Sequence, residues 1–255
     1  MTSHHARIIP SLLLFAASVC SQQTLVWSEE FNAGTAPDPT IWNYDLGDGS
    51  SGPGAGWGNQ ELQIYTDHPN NVRVENGHLV ITALQDPTGG FTSARVKTQD
   101  KLTFQYGTVE ARIQIPDLAD GLWPAFWTLG NNISTVTWPG CGEIDIMEMG
   151  SEGGILAGTQ NRRVGSNVFW DAGGVANYPQ YLTVGQDLNN DFHIWRLEWT
   201  PTTITTYVDN QQILIFDISG GAASNLEEFH APHFFLLNLA VGGWYPSIFS
   251  AAGIT

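Results

Sequence analysis

The stretch "GCGEIDIMEM", residues 140–149, places three carboxylates, Glu143, Asp145 and Glu148, among Ile144, Ile146 and Met147. Glu143 and Asp145 keep the two-residue alternation of a β-strand, in which successive side chains point to opposite faces. Glu148 breaks it. In a regular strand Met147 would lie beside Asp145, and Glu148 would turn into the apolar side with Ile144 and Ile146. An unpaired carboxylate there is costly or is forced neutral. A β-bulge removes the conflict: one extra residue restores the parity and returns Glu148 to the face of Glu143 and Asp145.

On that shared face the outer two acids stand as equivalents of i and i+4, with Cα atoms about 13 Å apart at about 3.3 Å per residue. If the sheet is concave, two long Glu side chains converge over a ligand. Retaining glycosidases hold their two carboxyls at about 5–5.5 Å. The middle acid, Asp145, is placed to hydrogen-bond one of its neighbours. Like charges held close push their pKa values apart, so that one group stays ionised and another keeps a proton. Two other readings compete. Charged edge strands discourage sheet-to-sheet aggregation, although the apolar alternates and the flanking Gly140 and Gly142 suit a central strand. A metal site is the other, but three acids without His make a poor transition-metal set.

The 255 residues are 42% hydrophobic and 13% charged, the balance of a globular chain that can form one large domain and needs no disulfide staples. A net charge of −16 with nine Lys plus Arg argues against nucleic acid and anionic membranes as partners, and disfavours sulfated polysaccharides. A neutral ligand fits better. Ten Trp residues suggest carbohydrate, because aromatic faces stack on the apolar faces of sugars; core filling accounts for most of the ten.

Residues 1–21 read as a secretory signal peptide: His4, His5 and Arg7 precede the apolar run "IIPSLLLFAASV", too short for a membrane span, and small residues then place cleavage near Ser21–Gln22. The expected mature domain is 22–255, secreted, with no membrane segment. Removal of Cys20 leaves Cys141 alone, without an intrachain disulfide. Nothing around Cys141 would lower its pKa, so it is expected as a buried small residue.

The rest is β-like. "TLVWSEEF", "NVRVENGHLVITAL", "ARVKT", "GTVEARIQI", "FWTLG", "EIDIME", "HIWRLEWT", "TITTYVD" and "FFLLNLAV" are short runs rich in Val, Ile, Thr and aromatics, separated by Gly, Pro, Asn and Asp. The Asn-Gly step in "ENGHL" signals a hairpin, and "YVDNQQI" a second with a longer turn. One short helix is expected in "ASNLEEFHAPHF", capped by Ser224 or Asn225 and ended by Pro232. "GDGSSGPGAGWGN" reads as a surface loop over a binding site. The expected fold is an all-β, antiparallel β-sandwich of jelly-roll type in a single domain.

"GEIDIMEMG" resembles the active-site motif of glycoside hydrolase family 16, in the laminarinase-like branch that carries the inserted residue. "WSEEFN", "GWGNQELQIYT", "NVRVENGHLVITA", "FTSARVKT", "YGTVEARIQIP", "GLWPAFWTLG", "HIWRLEWTP", "YVDN" and "FFLLNLAVGG" resemble family blocks in family order, from about residue 25 to 243. The resemblance implies a concanavalin-like jelly roll with a concave carbohydrate cleft and retaining, endo-acting hydrolysis of β-1,3-glucan. By position it gives Glu143 as nucleophile, Asp145 as the assisting acid and Glu148 as general acid/base. Trp123 and Trp127 resemble cleft tryptophans, with core packing the alternative for Trp127. Asn59 and Arg95 resemble sugar contacts, with a loop-ordering salt bridge the alternative for Arg95.

The chain departs from the pattern in two places. Phe169, in "GSNVFWD", stands where relatives often carry a cleft His. The chain also ends at Thr255, soon after "NLAVGGWYP", without the final strand expected in the family, so lowered stability is expected. Glu30 resembles one ligand of the family's structural calcium; without the partner Asp from that strand no calcium is expected, and no other cofactor or catalytic metal. The expected partner is a neutral β-glucan polysaccharide and the expected state a monomer. Asn132 opens an Asn-Ile-Ser sequon. A non-catalytic glucan-binding protein and a cell-wall transglycosylase are the competing functions.

Overall fold

The computed structural model describes residues 24–255, so the signal-peptide expectation for residues 1–21 lies outside the described residues. Residues 24–30 fall in an N-terminal unit, Met1–Glu30, and the strands belong to a second unit, Phe31–Thr255. The strand expected in "TLVWSEEF" is not formed: the run carries no regular secondary structure. Strand-like composition gives a preference, and a strand also needs a ladder partner.

In chain order the described strands are β1 Asn43–Asp45, β2 Gln63–Tyr65, β3 Val72–Glu75, β4 His78–Ile81, β5 Leu84–Gln85, β6 Phe91–Ser93, β7 Arg95–Lys97, β8 Gly107–Ile113 and β9 Leu122–Gly130. They continue with β10 Glu143–Met149, β11 Arg163–Asp171, β12 Val175–Asn177, β13 Gln180–Thr183, β14 His193–Trp199, β15 Thr203–Val208, β16 Gln211–Asp217 and β17 His233–Val241. An eight-stranded sheet runs β1-β7-β17-β9-β10-β11-β12, with β13 also on β11, and a four-stranded sheet runs β16-β15-β14-β8. β10 is thus a central strand, flanked by β9 and β11, and the edge-strand reading of its acids falls. All pairs within these two sheets are antiparallel; the small β2–β6 pair is parallel.

The main core lies between the two sheets. Ile144, Ile146, Met147 and Met149 of β10 and Val164 and Val168 of β11 meet Trp195, Leu197 and Trp199 of β14 and Ile204 and Val208 of β15. This is the jelly-roll-like sandwich expected from the alternating runs.

The Asn-Gly hairpin forms as read. β3 and β4 pair with Glu75 opposite His78, and Asn76 (φ 54°) and Gly77 (φ 74°) make the turn, with the positive φ at both positions that the two-residue hairpin needs. The second hairpin differs from expectation. Val208 pairs directly with Gln211, so its turn is only Asp209–Asn210, and the extra residue is absorbed by a register slip between Thr206 and Tyr207. The expected helix also differs: residues 221–224 and 227–230 form two 3₁₀ turns. Asn225, at φ 54°, closes the first turn instead of opening a helix, because its N–H bonds back to Gly221 and Ala222. Short α-helices occur elsewhere, at Ile133–Val136 and Glu152–Leu156.

Cys141 is fully buried, and burial pushes its thiol up to about 12. That is the inert small residue expected. Asn132 is exposed at the start of the first short helix.

Candidate active site

The register of β10 slips against both neighbours. Against β9, Asp145 pairs with Trp127 and Met147 with Phe126, so one residue of β10 has no counterpart. Against β11, Asp145 pairs with Asn167 and Glu148 with Gly165. Ile146 and Met147 are therefore consecutive residues that both enter the core, 0% and 1% exposed. The slip returns Glu148 to the face of Glu143 and Asp145, as the parity of the sequence requires.

That face continues across the sheet. On β9 it carries Trp123, Ala125, Trp127 and Leu129, which alternate with the core-facing Phe126 and Thr128. On β17 it carries Asn238, opposite Ala125, on β7 Arg95, opposite Asn238, and on β1 Asp45, opposite Arg95. Loops rise over it. Residues 131–141 pack on Leu129, Phe234 and Leu236 through Ile133 and Cys141, and bring Trp138 to the carboxylates. The loop after β17 lays Tyr245 on Trp123, rings 5.1 Å apart and nearly parallel. The row of acids thus forms the floor of a groove with aromatic walls.

Each outer acid has its own donor. Trp138 Nε1 donates to Glu143 Oε2 at 2.7 Å, and Trp123 Nε1 donates to Glu148 Oε1 at 3.0 Å. Tyr245 fixes the strand beneath, its hydroxyl donating to the Glu148 carbonyl at 3.1 Å. Asp145, 4% exposed, lies between and shares a side-chain hydrogen bond with Glu143. Burial raises all three carboxyls. Glu143 rises to about 7, restrained by its bonds to Asp145 and Trp138 and by the field of Arg95. Glu148 rises to about 8, through burial and the charge of Glu143. Asp145 is raised well above its ordinary value by burial and by the charges of both neighbours. These groups titrate as one coupled set. The arrangement is chemically useful: Asp145 holds a proton and donates it in a hydrogen bond to Glu143, which favours the ionised form of Glu143, and the charge of Glu143 in turn favours a proton on Glu148.

The four residues read as sugar contacts take different places. Trp123 and Trp127 both lie on the acid-bearing face. Trp127 is not pure core packing: half-buried, it donates Nε1 to Asn238 Oδ1 at 2.7 Å. Arg95 is 6% exposed and pairs with Asp45 at 3.0 Å, its guanidinium 4.0 Å from the Trp57 ring centroid and 4.9 Å from that of Tyr65. The ion pair joins two neighbouring strands, not a loop, and the charge of Arg95 still reaches Glu143. Asn59 donates to Glu61 Oε1 at 3.0 Å, and Glu61 also receives the Tyr65 hydroxyl. Phe169 lies opposite Glu143 on β11 and packs on Trp138, ring centroids 5.7 Å apart. The reading of the sequence missed Trp138, Tyr245, Trp57 and Glu61. Trp138 and Tyr245 reach β10 from the loop before it and the loop after β17, whereas Trp57, within the Gly-rich loop read as lying over a site, meets Arg95, and Glu61, just beyond that loop, meets Asn59 and Tyr65. Among the described residues no three His, Cys, Asp or Glu side chains gather to hold a metal ion, and Glu30 belongs to no such set.

The model of the family described as glycosyl hydrolases family 16 matches residues 59–247. The chain is 37% identical over 232 residues to a beta-glucanase of Rhodothermus marinus, covering 86% of this chain and 76% of that one. A mixed-linkage-glucan family 16 enzyme of Bacteroides ovatus, solved with a bound product, superposes with a TM-score of 0.80 at 32% identity, covering 91% of this chain and 92% of that one. The laminarinase catalytic domain of Thermotoga maritima gives 0.74 at 40% identity, with 91% and 92% covered. Other relatives are longer: the chain spans 30% of the clotting factor G alpha subunit of Tachypleus tridentatus and 34% of the glucan endo-1,3-beta-glucosidase A1 of Niallia circulans. With the family model covering most of the chain and the slipped carboxylate strand in place, the chain belongs to glycosyl hydrolases family 16, in its laminarinase-like branch.

Proposed function

We propose that the protein is a secreted, endo-acting retaining glycosidase that hydrolyses β-1,3-glucan by double displacement. The observation that carries this is the slip in β10, which puts Glu143, Asp145 and Glu148 on one face with a separate tryptophan donor on each outer acid. In this reading Glu143, ionised, attacks the anomeric carbon and forms a glycosyl ester. Asp145, protonated, hydrogen-bonds Glu143 and steadies the charge that Glu143 loses on attack and regains on departure. Glu148 gives its proton to the departing glycosidic oxygen. The resulting carboxylate then takes a proton from water, which attacks the ester and releases the sugar with its configuration retained. The hydrogen bonds and the Arg95 field around Glu143 favour its ionised form, and the charge of Glu143 favours a proton on Glu148, the sign these roles need.

The substrate follows from the wall chemistry and the charge. Trp123, Trp138 and Tyr245 offer apolar ring faces, and the net charge of −16 repels anionic chains. A neutral glucan fits both. The relatives named as laminarinase and glucanase support the same class. Secretion rests on residues 1–21; among the described residues no helix is long and apolar enough to cross a membrane.

Incubation with laminarin tests the reading. Reducing ends should appear, with the new anomeric centres in the β configuration when first seen by NMR. Glu143→Gln should bind laminarin and lose at least about 10³-fold in kcat, a loss of the size seen when one acid–base or nucleophilic group is removed. Wild-type protein that binds laminarin without cutting it would leave a glucan-binding role. Transfer to added acceptor sugar in place of hydrolysis would make it a transglycosylase.

A further inference from the structure

The loop after β17 carries two large apolar side chains that the sandwich does not use. Trp244 is 59% exposed and Phe249 43% exposed, with ring centroids 5.0 Å apart in an edge-on pair. Their backbone is fixed. Gly243 N–H donates to the Ile248 carbonyl at 2.7 Å and Ile248 N–H returns the bond at 3.2 Å. Trp244 N–H donates to the Asn59 carbonyl at 2.9 Å, and Glu152 N–H donates to the Tyr245 carbonyl at 2.9 Å. The loops meet so closely that a Cβ on Gly243, whose φ is +99°, would lie 2.8 Å from the Asn59 carbonyl oxygen.

This anchored loop borders the groove at Glu148. Tyr245, next in the chain, stacks on Trp123 and donates to the Glu148 carbonyl, while Asn59, at the end of the Gly-rich loop, holds Trp244 from the other side. Exposing an indole and a phenyl ring side by side on a rigid support is unfavourable in water. It becomes favourable when the C–H face of a sugar covers them, and little ordering cost remains because the backbone is already set. Residues 241–255 include no Asp, Glu, Lys or Arg, so the segment that carries the pair offers no charge of its own to a ligand.

We propose that Trp244 and Phe249 form an additional sugar-binding platform that continues the groove past Glu148 and holds neutral β-glucan units remote from the bond being cut. The proposal rests on the glucanase reading for its ligand. It makes the protein sensitive to chain length: a polymer reaches the platform and a short substrate does not.

The test compares Trp244→Ala, Trp244→Tyr and wild type in the full chain. Steady-state rates are measured on laminarin and on an aryl laminaribioside. A single aromatic face is worth about 2–10-fold, so Trp244→Ala should lower the ratio of kcat/KM on laminarin to that on the short glycoside by that factor, through KM, and Trp244→Tyr should restore most of it. An equal loss on both substrates, or no loss on laminarin, overturns the platform. Calorimetry in the Glu143→Gln background separates the platform from the activity. If Trp244→Ala weakens binding of a long laminari-oligosaccharide more than of laminaribiose, the platform stands even if wild type proves unable to cut laminarin. Equal affinities with and without Trp244 overturn it even if wild type is an active glucanase.

Discussion

β10 and β14 are both strands of seven residues, each with a partner on either side, and they face each other across the main core. β14 is regular. Its seven residues pair in unbroken register with β8, and five pair with β15, while buried and half-buried side chains alternate from end to end. β10 loses register against both neighbours and buries Ile144, Asp145, Ile146 and Met147 in succession. The two strands share composition class, length and core, so none of these explains the slip. What differs is the opposite face. β14 turns Arg196 and Glu198 to a surface where the charges pair with one another. β10 turns three like charges into a groove and raises the pKa of each. Local regularity has been given up where three carboxylates must share a face, as expected of a site where function overrides the local rule.

Making β10 as regular as β14 is the strongest way to break this contrast. Deletion of Met147 removes the extra residue and keeps Glu148 on the acid-bearing face. It also removes the local bend and extra twist that a bulge imposes on its strand, which re-aims the Glu148 side chain, and empties the core position that Met147 fills. A misplacement of about 1 Å at a reacting centre costs on the order of 10²-fold. The deletion should therefore lower kcat/KM on laminarin by about 10²-fold or more and lose about 2–5 kcal/mol of stability in urea unfolding. Retained activity with lost stability would mean that the bulge serves core packing alone.

A milder comparison truncates one core residue on each strand. Ile146 and Leu197 are both 0% exposed in the same core. Ile146→Ala and Leu197→Ala should each cost about 2–5 kcal/mol. Only Ile146→Ala should also lower kcat, because Ile146 is the residue at the slip and its packing holds Glu148 in place. Equal kcat in the two variants would show that the ladder, without the side chain, sets the position of the acid.

The same contrast explains what was legible in the sequence. β14 and β8 could be read because alternation is a local pattern, and β17 because a continuous apolar run bounded by turn residues marks a strand buried on both faces. The slip in β10 could be read because three charged residues made the parity error visible. The slip in β16 could not: Gln211, Gln212 and Ile213 carry no charge whose burial would be forbidden, so the sequence alone puts the extra residue in the turn. Trp138 and Tyr245 were missed for a different reason. Tyr245 reaches the Glu148 backbone from a loop far along the chain, and Trp138 folds back onto Glu143 from the irregular loop that leads into β10; neither proximity has a period. Arg95 and Asn59 both have protein partners: Asp45, on a strand far away in the sequence, is brought to Arg95 by the fold, whereas Glu61 stands only two residues beyond Asn59.

The raised carboxyls give β10 a pH dependence that β14 lacks. In the unfolded chain Glu148 titrates near 4.5, and in the folded protein near about 8. Below the unfolded value it is protonated in both states and costs nothing. Between the two values the unfolded chain loses the proton while the folded protein keeps it, so stability falls as pH rises, until the folded group also ionises. Glu148→Gln removes this penalty while its amide oxygen still accepts from Trp123. Its melting temperature should match wild type near pH 4 and exceed it by a few degrees at pH 8, at about 2–4 °C per kcal/mol for a domain of this size. A constant difference across pH would mean that Glu148 titrates normally in the folded state. For turnover the same values give a bell: activity rises as Glu143 ionises near about 7 and falls as Glu148 does near about 8.

The smallest effect is expected on the outward face of β14. Arg196 lies 3.2 Å from Glu198 and 3.6 Å from Glu110, above the Tyr207 ring at 4.3 Å. The side chains of Glu110 and Glu198 are 53% and 43% exposed, so water and salt already screen both charges. Pairs of this kind are worth about 0–1 kcal/mol. Arg196→Gln should lower stability by less than about 1 kcal/mol, and raising the salt concentration should shrink the difference further, because only the ion-pair part is screened while the ring contact of the aliphatic stem is lost in either case. Its kcat on laminarin should equal that of wild type, since the full thickness of the core separates this face from the groove. A loss of several kcal/mol, or any change in kcat, would show that charge on the regular strand is coupled to the irregular one through the packed side chains between them.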